Sequence, residues 1–267
     1  MLLLLMVALC AINFVDCTAV NFTLPQVLAL CDVTEQLRGL KKAVFDIKPR
    51  AIEEALLTVT SRRRSEHALK QVLEAAENTE EGSAAAARAQ GAYNQVLDAI
   101  RMTEEAATEV EKCSASIMKV RGLYLSPLES VMVRAGSEAA TEEGQEAAKS
   151  CMETALYVTP QSLEEVYVKL ALFESSCVEA LGEGIKEAAT SLRSLKKAGA
   201  QLAEVRGNAE KMELIVLEAL SEAEYNTPQG GDEDGDGIPD PATGSACPIT
   251  VTRYMLALEC IAMLIHK

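Results

Sequence analysis

The sequence predicts an all-α protein: an elongated bundle of long antiparallel helices, three of them main helices, with a small helical head and a flexible C-terminal linker. Three observations carry that prediction. The 267-residue chain holds about 40 alanines and 32 glutamates, far above ordinary usage. Both form helix cheaply, Ala because it loses no side-chain entropy and Glu because its straight chain loses little. The chain also has no Trp and only 4% aromatic residues, which argues against a thick globular core. Finally, no proline falls between Arg50 and Ser126 or between Gln161 and Thr227. An unbroken helix over either stretch would be about 100 Å long.

Taken in order, residues 1–15 are an apolar run of secretory length, and Cys17-Thr18-Ala19 supplies small residues for cleavage. A signal peptide is expected over residues 1–19, with the mature chain starting at Val20 and Thr18 as the alternative start. Asn21-Phe22-Thr23 is then a usable glycosylation sequon at the mature N-terminus.

The first helix is expected from about Pro25 to Asn78, with Pro49 as a kink or short break. Residues 78–83 (Asn-Thr-Glu-Glu-Gly-Ser) read as a helix–helix turn, with Ser83 capping a second helix over about 84–121. Gly122 and Ser126-Pro127 should end that helix. Gly136, Gly144 and Pro160 then break the chain into a helical head over about 122–159.

The last helix has the sharpest signature. Thr159 suits the N-cap, Pro160 the first helical position, and Asn226-Thr227-Pro228 the stop. A three-four stripe opens with Leu163, Val166, Leu170, Phe173 and Cys177 and continues through Leu192, Leu195, Gly199, Leu202, Val205, Ala209, Met212 and Val216. One continuous helix over 160–226 is expected, closing an ectodomain of residues 20–227.

Residues 228–244 are rich in Gly, Asp and Pro and read as a linker. Small residues Gly244, Ser245 and Ala246, a spacer to Arg253 and an apolar run over 254–265 follow the order of a glycolipid (GPI) attachment signal. Gly244 is the expected attachment residue and Ser245 the alternative, with residues 245–267 removed. A run this short cannot span a bilayer as a helix; a terminal amphipathic helix packed on the body is the other reading. The expected location is therefore extracellular, on the outer leaflet of the plasma membrane.

The formal net charge of −15 argues against nucleic acid or an anionic bilayer surface as partner. Arg62-Arg63-Arg64 is the only basic cluster, and three consecutive charges in a helix read as a solvated face. His67 is the only histidine left in the mature chain, so neither a His-based zinc site nor a Ser-His-Asp arrangement can be assembled. Acidic pairs such as Glu53-Glu54, Glu104-Glu105 and Glu142-Glu143 read as solvated faces. No enzyme is expected and no cofactor.

In the linker, Asp232, Asp234, Asp236 and Asp240 alternate around Gly237 like a single thrombospondin type 3 calcium repeat. Thr243 stands where an EF-hand needs its bidentate Glu, and Pro239 forbids a following helix. The segment reads first as an acidic flexible linker, with calcium as its alternative.

Trimming both ends leaves Cys31, Cys113, Cys151 and Cys177. An even count in a secreted chain implies two disulfides. If the first and last helices both descend to a base near Glu81 and Asn226, Cys31 and Cys177 lie level, about 75 Å above it. A disulfide needs Cα atoms within about 7 Å, so Cys31–Cys177 is expected, with Cys113–Cys151 near the head.

A cleaved signal, an Ala/Glu-rich body of long helices, a few disulfides, an acidic linker and a glycolipid signal together resemble the trypanosome surface coat proteins. Composition and size are most similar to the glutamic acid/alanine-rich protein of insect-stage parasites, and similar to the alanine-rich coat protein of a related species. Variant surface glycoproteins and the haptoglobin–haemoglobin receptor share the plan more distantly. The resemblance implies a rod standing on the membrane among neighbouring coat molecules; a homodimer is the further partner considered. The alternative it implies is a receptor binding a host macromolecule through the head or flank of the same bundle.

Overall fold

A computed structural model of the chain describes residues 22–76, 80–151, 157–170 and 176–226. The chain divides into two compact units, residues 1–227 and 228–267, and all the described residues belong to the first. The described residues form five helices, α1 (Leu24–Ala75), α2 (Glu80–Glu138), α3 (Glu142–Ser150), α4 (Pro160–Leu170) and α5 (Ser176–Asn226). The three long ones contain 52, 59 and 51 residues, or about 75–90 Å each.

Pairs of side chains fix how they run. Lys48 meets Glu111 at 2.8 Å and Arg38 meets Glu129 at 2.9 Å, so α2 is antiparallel to α1. Arg206 reaches Glu54 at 3.3 Å and Arg64 reaches Glu213 at 3.5 Å, so α5 is parallel to α1. Arg88 pairs with Glu222 near the base, where α1 and α5 end and α2 begins.

Helix α1 starts as expected: Pro25 lies in its first turn, and the Gln26 side chain accepts a hydrogen bond from the Thr23 backbone N–H at 3.1 Å. It runs through Pro49 without a break in helical assignment.

Helix α2 departs from expectation at both ends. It begins at Glu80, so Ser83 lies inside it instead of capping it. It also continues past Gly122 and Pro127 to Glu138. An interior proline costs about 3 kcal/mol, but the extension buries Leu128, Val131 and Met132. Full burial of each such side chain is worth about 1.5–3 kcal/mol, which outweighs the lost hydrogen bond.

The largest departure is in the last third. Residues 160–226 do not form one helix. Arg193 pairs with Glu164, 29 residues away, whereas one straight helix would hold them about 43 Å apart. Helix α4 therefore folds back antiparallel along the start of α5, and its own apolar stripe, Leu163, Val166 and Leu170, is buried in the shared core. Periodicity is the same for one helix or a hairpin of two. Two glycines of α5 permit close contacts here: a Cβ on Gly182 would meet the Tyr167 ring of α4 at 2.9 Å, and one on Gly184 would meet the Tyr124 ring of α2 at 2.5 Å. The start of α4 follows the sequence, since Thr159 and Ser162 exchange backbone-to-side-chain hydrogen bonds at 2.9 and 3.0 Å.

The core divides along the rod. The upper part packs Leu30, Leu37, Leu128, Leu163, Leu192 and Leu195 among other large side chains. The base packs Ala68, Ala85, Ala89, Ala92, Ala219 and Ala223 around Leu69, Val72 and Val216.

Candidate interaction surface

The upper end carries the features that distinguish this bundle from a plain three-helix rod. Helix α3 is capped by Thr141, whose side chain accepts from the Gly144 N–H at 3.1 Å. Glu142 and Glu143 in its first turn and Lys149 in its last suit the helix dipole. Its C-cap, Cys151, is joined to Cys31 of α1 by a disulfide with Cα atoms 5.5 Å apart. Arg38 clamps the same corner, hydrogen-bonding Glu129 and the Cys151 carbonyl, each at 2.9 Å.

This pairing replaces both expected disulfides. Cys31 takes Cys151 instead of Cys177, and Cys113 does not pair with Cys151. The long helices alone would set Cys31 level with Cys177, but α3 returns the chain to α1 and brings Cys151 to Cys31 first. Cys113 sits about 50 Å above the start of α2, while Cys31 is about 66 Å above the end of α1, so Cys113 lies well below Cys151. It is a buried thiol donating to Glu109 at 3.2 Å. Burial first, and then that hydrogen bond, push its pKa up to about 11, so it stays protonated. Cys177 is the second residue of α5, and its side chain lies outside the described residues.

Below the start of α4, the seam between α1 and α5 loses its cover and opens into a cleft of ≈ 370 Å³. Ala43, Ile47, Ala51, Gly199 and Ala200 line it beneath Tyr157. Tyr157 is 67% exposed, with Lys196 Nζ 5.7 Å from its ring centroid. Asp46, Arg50 and Glu54 stand on the α1 side. These groups can seat an apolar side chain or a helix edge among charged side chains. Nearer the top, Lys186 lies 4.3 Å over the Tyr167 ring and bonds Glu183 at 2.6 Å. That bond, then Tyr167, holds its ammonium charged beyond the usual lysine range.

Other residues singled out from sequence fall where a solvated surface would place them. Arg62, Arg63, Arg64, His67, Glu53, Glu104, Glu105, Glu142 and Glu143 are all exposed, whereas Glu54 is half-buried against Arg206. Cys31, Glu35 and Cys151 come within metal-binding distance of one another, but the disulfide uses both sulfurs. Asn21, Asp232, Asp234, Asp236, Asp240, Gly244 and Ser245 lie outside the described residues. No helix among the described residues is long and apolar enough to cross a membrane. Sequence reasoning missed Tyr124, Tyr157, Tyr167, Gly182 and Gly184. The spacing of Gly182 and Gly184 was the available signal.

The fold is found in other trypanosome surface proteins. The Trypanosoma brucei factor H receptor, solved bound to domain D5 of bovine factor H, is similar with a TM-score of 0.70 and 25% identity, over 74% of this chain and 94% of that one. A metacyclic invariant surface protein of Trypanosoma brucei gives 0.63 and 20%, over 77% and 99%. The glutamic acid/alanine-rich protein of Trypanosoma congolense gives 0.52 and 23%, over 71% and 99%. Comparison with curated proteins finds no match. These relatives are surface proteins and a receptor, not enzymes. The sequence profile described as "Glutamic acid/alanine-rich protein of Trypanosoma" matches residues 24–213, and the chain belongs to that family of trypanosome surface proteins.

Proposed function

We propose that this chain is a GPI-anchored glycoprotein of a protective parasite coat, cleaved after residue 19, glycosylated at Asn21 and anchored at Gly244 or Ser245. One observation carries the reading: α1 and α5 run parallel and α5 ends at the base of a narrow rod. In that reading residues 228–244 are the linker in sequence between the ectodomain and the anchor. A body three helices wide takes little membrane area, which suits dense packing beside neighbouring copies. The test is phosphatidylinositol-specific phospholipase C on expressing cells, with copies per cell counted. Release of an abundant protein is expected; retention with the 254–267 peptide intact would remove the anchored reading.

A receptor for a host protein is the second reading, favoured by the higher TM-score to the factor H receptor than to the family's own solved member. The cleft beneath Tyr157 gives it a place to bind. Bovine factor H passed over the surface-displayed chain tests it directly. Saturable binding lost in Tyr157→Asp supports a receptor, and no binding of serum proteins leaves the coat.

A further inference from the structure

The Arg62-Arg63-Arg64 cluster has no part in the coat or receptor readings, and its setting points to a ligand. Ser61, Ser65, Ala68 and Leu69 of α1 are buried, which turns residues 62, 63, 64, 66, 67 and 70 outward. Arg63, His67 and Lys70 fall at i, i+4 and i+7, on one helix face about 10 Å long. Arg62 and Arg64 flank that face. Arg64 is engaged by the buried carboxylate of Glu213 at 3.5 Å, and Lys70 contacts Glu74 at 3.8 Å. Arg62 and Arg63 have no ion-pair partner among the described residues, and both are exposed.

We infer that this face binds a sulfated polysaccharide. Three consecutive arginines with a lysine on the same exposed helix face form the kind of Lys/Arg-rich patch that takes polyanions such as heparin. The guanidinium fork bonds oxyanions in a bidentate manner, so sulfate suits arginine as phosphate does. The net charge of −15 does not defeat it locally. At physiological ionic strength charges are screened over about 8 Å, so the acids of the upper end do not reach the patch. Glu66 shares the face with the cationic side chains Arg62, Arg63 and Lys70. The inference is independent of the anchor and coat readings, because it needs only the α1 surface.

The test uses the purified full chain on immobilised heparin, eluted with a salt gradient. Arg62→Ser/Arg63→Ser is compared with Lys119→Ser/Lys197→Ser, which removes equal charge from exposed positions outside the patch, on α2 and α5. The parent and the lysine variant should be retained, with free heparin competing and carboxylate-only hyaluronan failing to. The arginine variant should bind at least tenfold more weakly, with its log affinity falling less steeply with log salt by about two. Equal retention of the arginine variant would overturn the inference. So would equal loss in the lysine variant, which would mean non-specific charge. Displacement by phosphatidylserine vesicles as effective as by heparin would overturn it in favour of an anionic lipid surface. Circular dichroism melting of each variant checks that binding changes are not unfolding.

Discussion

The same three helices pass through the upper end and the base, yet the two regions are held by different physics. Above, α3 and α4 are added, leucines fill the interior, and a disulfide joins α3 to α1. Below, alanines let three backbones approach closely around a few larger side chains. Between them the interior turns partly polar: Thr58 and Thr103 donate to their own helices' carbonyls at Glu54 and Ala99, and Glu213 is buried against Arg64. The upper end therefore resists truncation of individual side chains poorly but is cross-linked. The base loses little at any one position and depends on continuous close contact.

The sharpest way to break the comparison is to remove the cross-link. Cys31→Ser with Cys151→Ser opens a closure of 120 residues, which chain-entropy reasoning values at about 4–5 kcal/mol. The loss should appear in denaturant unfolding. Hydrogen exchange should locate it in α3 and the first turns of α1, with the Ala89 and Ala219 amides unchanged. Uniform loss along the rod would show that the two regions are one cooperative unit.

That pair of regions was unequally legible in the sequence. The base was mostly readable because local signals decide it: Ala-rich runs and the stop at Asn226 agree with one another, although helix begins at Glu80, inside the turn expected over 78–83. The parallel descent of the first and last helices followed from the same reasoning. The upper end was not readable because its contacts are far apart in sequence. Nothing in the stripe of Leu163, Val166 and Leu170 says whether α4 continues into α5 or folds back upon it. The Cys31–Cys151 pairing depends on α3, whose return to α1 no periodicity encodes. Pro127 read as a stop because its local cost is visible and the burial of Met132 and Val131 that outweighs it is not. Of the candidate surface, the basic cluster was visible as a string of residues. Its outward turn, and the cleft beneath Tyr157, needed three dimensions.

Next in size is truncation within each core. Leu195 is fully buried among the upper leucines, and Leu195→Ala should cost about 3–4 kcal/mol, against about 2 kcal/mol for Val216→Ala in the base. Thermal melts of the two variants measure the difference. Equal costs would mean the alanine base is packed as tightly as the leucine end.

Smaller still is the effect of adding a methyl where α5 meets a ring. Gly184→Ala would place Cβ 2.5 Å from Tyr124 Cε2, forcing the ring aside and straining the bond its hydroxyl donates to the Ala180 carbonyl at 3.0 Å. Overpacking of this kind costs about 1–3 kcal/mol. Tyr124→Leu in the same chain should recover part of the loss, and no recovery would mean that the backbone of α5, and not the ring, is the obstacle.

The smallest effect has the opposite sign. Gly91 lies in the base half of α2, and a Cβ there would meet nothing within 4 Å. Glycine inside a helix is less favourable than alanine by about 0.5–1 kcal/mol, because it loses more backbone freedom on folding. Gly91→Ala should therefore raise the melting temperature slightly, in contrast with the same substitution at Gly184. Two identical changes with opposite outcomes would locate the steric crowding in the upper end and the spare room in the stem. If Gly91→Ala destabilised instead, the open side of α2 at that height would be covered in the working protein, and the stem would have a partner there.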